Sequence, residues 1–166
     1  MSKGERWIKI GYAKDVDQRI RDLRYSCGIK DLDEYSKCLV PAYLAAKAER
    51  LCHVELINFK RILNCGKCKN GPRHMNHKEW FAVSEELATS IVQRWCKFAH
   101  QDAYDEEDGN LDDHWRRMAS SDNLCGIQGS RVPQDLEEAR VHLKRAGENY
   151  DSWLNGASGK APRSSK

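Results

Sequence analysis

No apolar run in this chain approaches the roughly 20 residues that span a bilayer, so no membrane partner is expected. The opening stretch MSKGERWIK lacks the apolar core of a secretory signal. An intracellular address, nuclear or cytoplasmic, is therefore the expectation. No internal repeat is present, which sets aside solenoids and propellers. The cysteine count, seven, is odd, and no export signal precedes it. That favours metal ligation or plain burial over a disulfide framework. A second Cys-x-x-Cys is also missing, so any zinc site must draw ligands from outside one tight knuckle.

What is present is a chain of 166 residues, 40% apolar and 32% charged. That length suits one domain plus an appendage. The net charge of +3 conceals a division. Residues 1–100 hold 19 Lys and Arg against 12 Asp and Glu, a balance of +7, whereas residues 101–166 hold 9 against 13, or −4. A basic first part suits a polyanion partner such as nucleic acid.

Trp7-Ile-Lys-Ile10 alternates as a strand does and ends at Gly11. Asp15 and Gln18 form a capping-box pair ahead of a helix striped by Val16, Ile20 and Leu23, which Gly28 stops. Lys37–Leu44 reads as a second strand, at a sheet edge or bulge because of Pro41. A helix is expected from about Ala45 to Leu63, then a Gly/Lys/Cys/His loop to Asn76, then a strand over Glu79–Val83. Ser84 caps a further helix with a core face of Leu87, Ile91, Trp95 and Phe98. The expected divisions are a domain at 1–100, an acidic irregular linker at 101–134, a short helix at 135–155 and a disordered tail at 156–166. The fold class is α+β: a small antiparallel or mixed three-stranded sheet flanked by helices, with a partly helical C-terminal appendage.

Two clusters carry chemistry. Glu49 and His53 stand four residues apart, on one helix face, as a candidate divalent-metal or acid/base pair. The plain alternative is an exposed glutamate and a packed histidine. Cys65 and Cys68 form half a zinc site, which His77 and His53 are expected to complete, with His74, Cys27 and Cys52 as competitors. Trp80 and Phe81 either pack in the core or offer rings for base stacking.

Four short motifs follow one another: Ile8-Lys9-Ile10-Gly11-Tyr12; Asp15-Val16-x-x-Arg19-Ile20; Ala48-Glu49-Arg50-Leu51-x-His53-x-Glu55-Leu56; and His77-x-Glu79-Trp80-Phe81. In this order, across about residues 7–98, they resemble the GIY-YIG nuclease superfamily. The closer likeness is to its phage-type DNA-binding branch, widespread in fungal proteins. The resemblance implies that Arg19 contacts the scissile phosphate and that Glu49 is the single metal-binding carboxylate, for Mg²⁺. Catalytic candidates are thus Arg19, Glu49, His53 and Tyr12, and candidate DNA contacts are Lys9, Lys14, Arg19 and Arg24. The chain departs from the family in two ways. Only six residues precede Trp7, where the first strand and its tyrosine belong. Lys9 stands where the second motif has tyrosine, with Tyr12 one residue past Gly11 as a substitute.

Three functions follow from these readings. One is a DNA-binding module for duplex or branched DNA, degenerate or truncated as a nuclease. The second is an active Mg²⁺-dependent endonuclease. The third is a zinc-stabilised protein-interaction domain.

Overall fold

The computed structural model describes residues 6–68, 76–105, 107–120 and 135–157. His74 and most of the tail expected to be disordered lie outside them. The chain divides into two compact units, Met1–Trp95 and Cys96–Lys166.

The first unit begins with β1 (Ile8–Lys9). Helix α1 (Val16–Cys27) follows, and its first turn is held as expected. The Asp15 carboxylate accepts from the Gln18 backbone N–H at 2.8 Å. The reciprocal half of the capping box is not made, because the Gln18 side chain turns forward to Asp22. Gly28 ends the helix at φ 67°, a left-handed conformation that favours a residue without Cβ.

Residues 32–41 form no strand, against the expectation for Lys37–Leu44. Pro41 instead caps α2 (Ala42–Glu55), a place where its missing N–H costs nothing. Buried Leu44, Ala48 and Cys52 recur every four residues, and that helical period claims the apolar run. The helix also ends earlier than expected. A 3₁₀ turn (Ile57–Phe59) leads into β2 (Lys60–Asn64), where helix and loop were anticipated.

β3 (Asn76–Phe81) lies in the middle of the sheet, in the order β1-β3-β2, and both pairings are antiparallel. The three-stranded α+β expectation thus holds, with β2 replacing the strand assigned to residues 37–44. Trp80 and Phe81 are 5% and 0% exposed. Successive strand side chains point to opposite faces, so core covers both sides of β3 at this end. These rings are core, and their burial rules out base stacking. Between Arg61 and Leu63 the register slips: β3 advances three residues, Trp80 to His77, while β2 advances two. The extra residue falls beside Glu79, and such a bulge re-aims side chains.

On helix α3 (Glu85–Ala99) the expected Ile91, Trp95 and Phe98 are buried, Ile91 fully, whereas Leu87 is only half-buried. Glu55 accepts from Arg94 Nη1 and from Trp95 Nε1, each at 2.7 Å, and thereby ties α2 to α3.

In the second unit, Phe98, Tyr104, Trp115 and Trp153 form an aromatic cluster, with ring centroids 5.0–5.8 Å apart around Phe98. Among its described residues are the helices α4 (Asp113–Ser120), inside the stretch expected to be irregular, and α5 (Leu136–Ala157), which runs slightly into the expected tail. No described helix is long and apolar enough to cross a membrane. Cys27, Cys52, Cys65 and Cys68 are free thiols.

Candidate functional site

Three charged groups meet around Gly11. A Cβ built on Gly11 would lie 2.8 Å from Lys9 Nζ, 3.6 Å from Glu49 Oε1 and 3.9 Å from Glu79 Oε2. The end of β1, the second turn of α2 and the bulged part of β3 thus bring their charged heads to one spot, and glycine leaves room for them. Lys9 is ion-paired with Glu79, and its side chain is only 11% exposed. His53 Nε2 lies 3.0 Å from the Ile10 carbonyl and 3.8 Å from Glu49 Oε1. A carbonyl only accepts, so Nε2 carries the proton. The imidazole ring leans on Phe81, centroids 5.1 Å apart. His53 therefore steadies the end of β1 against α2.

The two carboxylates respond to this setting in opposite ways. Burial pushes Glu49 above the usual carboxylate range. His53 opposes that push, Glu79 adds to it, and Lys9 opposes it. Burial also acts to raise Glu79, but the hydrogen bond and charge of Lys9, then His53 and Arg19, outweigh it and hold Glu79 below the usual range. The charge of Arg19 thus acts on Glu79, and that of Glu79 on Glu49, which links the exposed α1 guanidinium to the group around Gly11.

The remaining candidates are placed differently. Tyr12 is 59% exposed and Lys14 is also exposed, both just past Gly11. Arg24 donates to the Leu32 carbonyl at 2.6 and 3.0 Å and to Asp33 at 2.6 Å, so its guanidinium fastens a loop. Glu79 and Gly11 were not singled out from the sequence. Glu79 stood in the His77-x-Glu79-Trp80-Phe81 motif, but its role came from the pairing that brings β3 beside β1.

The Gly11 group does not fit a resident Mg²⁺. Such an ion takes oxygen ligands in near-octahedral array, and here a protonated lysine, which has no lone pair to give, already holds one of the two carboxylates.

The second cluster does fit a metal. Cys27, Cys65, Cys68 and His77 offer donor atoms all within 4.8 Å of one another. Cys68 Sγ lies 3.1 Å from Cys65 Sγ, 3.4 Å from Cys27 Sγ and 3.2 Å from His77 Nε2. A tetrahedral zinc with bonds of about 2.0–2.3 Å has ligand–ligand edges of roughly 3.5–3.8 Å, close to these separations. Cys27 takes the fourth position and His53 does not, because His53 is held at Ile10. Burial, then hydrogen bonds to Cys68 and Cys65, push Cys27 up to about 12. Burial also opposes ionisation of Cys65, yet the Lys67 backbone N–H and the Cys68 and His77 side chains bring it down to about 6.

The model of the T5orf172 domain matches residues 1–96. This chain belongs to the T5orf172 domain family. The T5orf172 domain is phage-associated and has a GIY-YIG/HNH-like endonuclease relationship, which points to a nuclease-like or DNA-binding domain. Both clusters lie within the matched residues. No curated protein and no solved structure matches the chain.

Proposed function

We propose that this T5orf172 domain is a GIY-YIG-like DNA-binding module that receives a backbone phosphate beside Gly11. The observation that carries the reading is the convergence of Lys9, Glu49 and Glu79 beside Gly11, with the charge of Arg19 acting on Glu79. Arg19 is an exposed cation on a rigid helix and presents donors that suit a phosphate. Lys9 is a second cation, and exposed Lys14 extends the basic surface past Gly11.

Cys27, Cys65, Cys68 and His77 would hold a structural zinc. When bound, that ion cross-links the end of α1 to the β2–β3 connection and to β3 itself. Its role is to hold the α1 end and β3 together.

The test is binding of the full chain to labelled duplex and branched DNA, together with a plasmid-nicking assay in Mg²⁺. Retention of DNA without nicking is the expected result. Nicking that Glu49→Ala abolishes would establish the endonuclease reading in its place. No binding to either DNA would leave only the metal-stapled fold.

A further inference from the structure

We propose that the Lys9 ammonium serves here as the built-in counterpart of a catalytic divalent cation, so that the site holds a DNA phosphate without a metal ion. This deepens the DNA-binding reading and rests on it for the identity of the ligand. Charge balance is the first ground. Glu49 and Glu79 both approach the Cβ position of Gly11, and two carboxylates beside a phosphate repel it unless cations intervene. Lys9 supplies one positive charge at that spot, and the charge of Arg19 acts on Glu79 as a second, so the two carboxylates are offset without an ion.

Burial is the second ground. Lysine is almost never this enclosed without a partner, and Lys9 has Glu79. A divalent ion that took Glu79 Oε2 would displace the ammonium from its partner while little of that side chain reaches solvent, an unfavourable exchange. The third ground is steric. The Gly11 Cβ position lies only 2.8 Å from Nζ, so the ammonium fills the space nearest the glycine, and the Glu49 and Glu79 oxygens lie 3.6 and 3.9 Å from the same point. A metal ion can acidify a bound water and polarise a phosphoryl oxygen, whereas an ammonium supplies charge and hydrogen bonds but no acidified water. The exchange of metal for lysine therefore keeps phosphate affinity and removes the means of hydrolysis.

The experiment titrates Mn²⁺, followed by its paramagnetic resonance signal, into the full chain with its Cys/His site loaded with zinc. Wild type is expected to take up no stoichiometric Mn²⁺. Lys9→Met is expected to bind one Mn²⁺ at least about tenfold more tightly than wild type, which corresponds to ~1.4 kcal/mol. The Lys9→Met/Glu49→Gln double variant should lose that ion. In parallel, wild type should bind duplex without any requirement for Mg²⁺, and Mn²⁺ should restore part of the affinity lost in Lys9→Met. One Mn²⁺ bound to wild type and removed by Glu49→Gln would overturn the proposal, as would a Mg²⁺ requirement for DNA binding. If Lys9→Met does not fold, Lys9→Arg, which keeps the charge, must still exclude Mn²⁺. Failure of wild type to bind any DNA would remove the ligand assignment. The Mn²⁺ comparison would still decide separately whether Lys9 holds the cation position.

Discussion

Glu49 and Glu79 are the same residue type, share one spot and are driven in opposite directions. Glu49 is raised mainly by burial. Its ionised form is disfavoured by folding, so it opposes stability above the ordinary glutamate range, and that opposition fades as pH falls through its raised folded value. Glu79 is depressed, with Lys9 overcoming burial. It contributes stability above the ordinary range, and the contribution is lost as pH falls through its lowered folded value. At neutral pH, Glu49→Gln should raise the melting temperature and Glu79→Gln should lower it. Thermal melts from neutral down to about pH 4 should show the two differences from wild type shrinking as the carboxylates protonate. Arg19→Ala is expected to weaken duplex binding and to reduce the slope of log affinity against log salt by about one phosphate contact. Anisotropy titrations at several salt concentrations check this, and an unchanged slope would remove Arg19 from the interface.

The zinc-type cluster draws its donors from separate elements: Cys27 ends α1, Cys65 and Cys68 follow β2, and His77 belongs to β3. Cys27→Ser should abolish stoichiometric zinc and lower the melting temperature, as zinc assay and calorimetry would show. Acid should likewise release the ion, because thiols and imidazole must be deprotonated to ligate. The Glu55 pin is independent of metal. The Glu55 and Arg94 side chains are 2% and 8% exposed. Arg94→Ala leaves a buried carboxylate without this partner, and urea unfolding should show a loss of about 3–5 kcal/mol. Elements were readable where the signal was local. Asp15 and Gly28 bracketed α1 because capping depends on a few neighbouring residues. Lys37–Leu44 was misread because an apolar run with a proline suits either a strand edge or a helix start, and packing decides between them. β2 was missed because only its pairing with β3 distinguishes it from a helix end.

At the level of the whole chain, charge separates the parts: +7 over residues 1–100 against −4 over 101–166. If Lys9, Lys14 and Arg19 meet about three phosphates, log affinity should fall with log salt at a slope of about −2.7. A fourfold rise in salt then weakens duplex binding roughly 40-fold. Affinity insensitive to salt would contradict a phosphate-based interface. The second unit is built around the Phe98, Trp115 and Trp153 rings, and from sequence it had read largely as linker and tail. Aromatic residues widely spaced in the chain carry no periodic signal, so their cluster emerges only once helices bring them together.

The sequence alone determined the α+β class, the capped first helix, the basic first part and the residue types able to bind metal or phosphate. All of these follow from composition, short-range periodicity or residue chemistry, which survive any folding of the chain. Tertiary structure decided the partners. It seated Cys27 in the position expected for His53, turned His53 to a backbone carbonyl, and set Lys9 against Glu79. Those choices depend on strand register and helix packing between residues as many as 70 positions apart, and nothing in the local sequence encodes them.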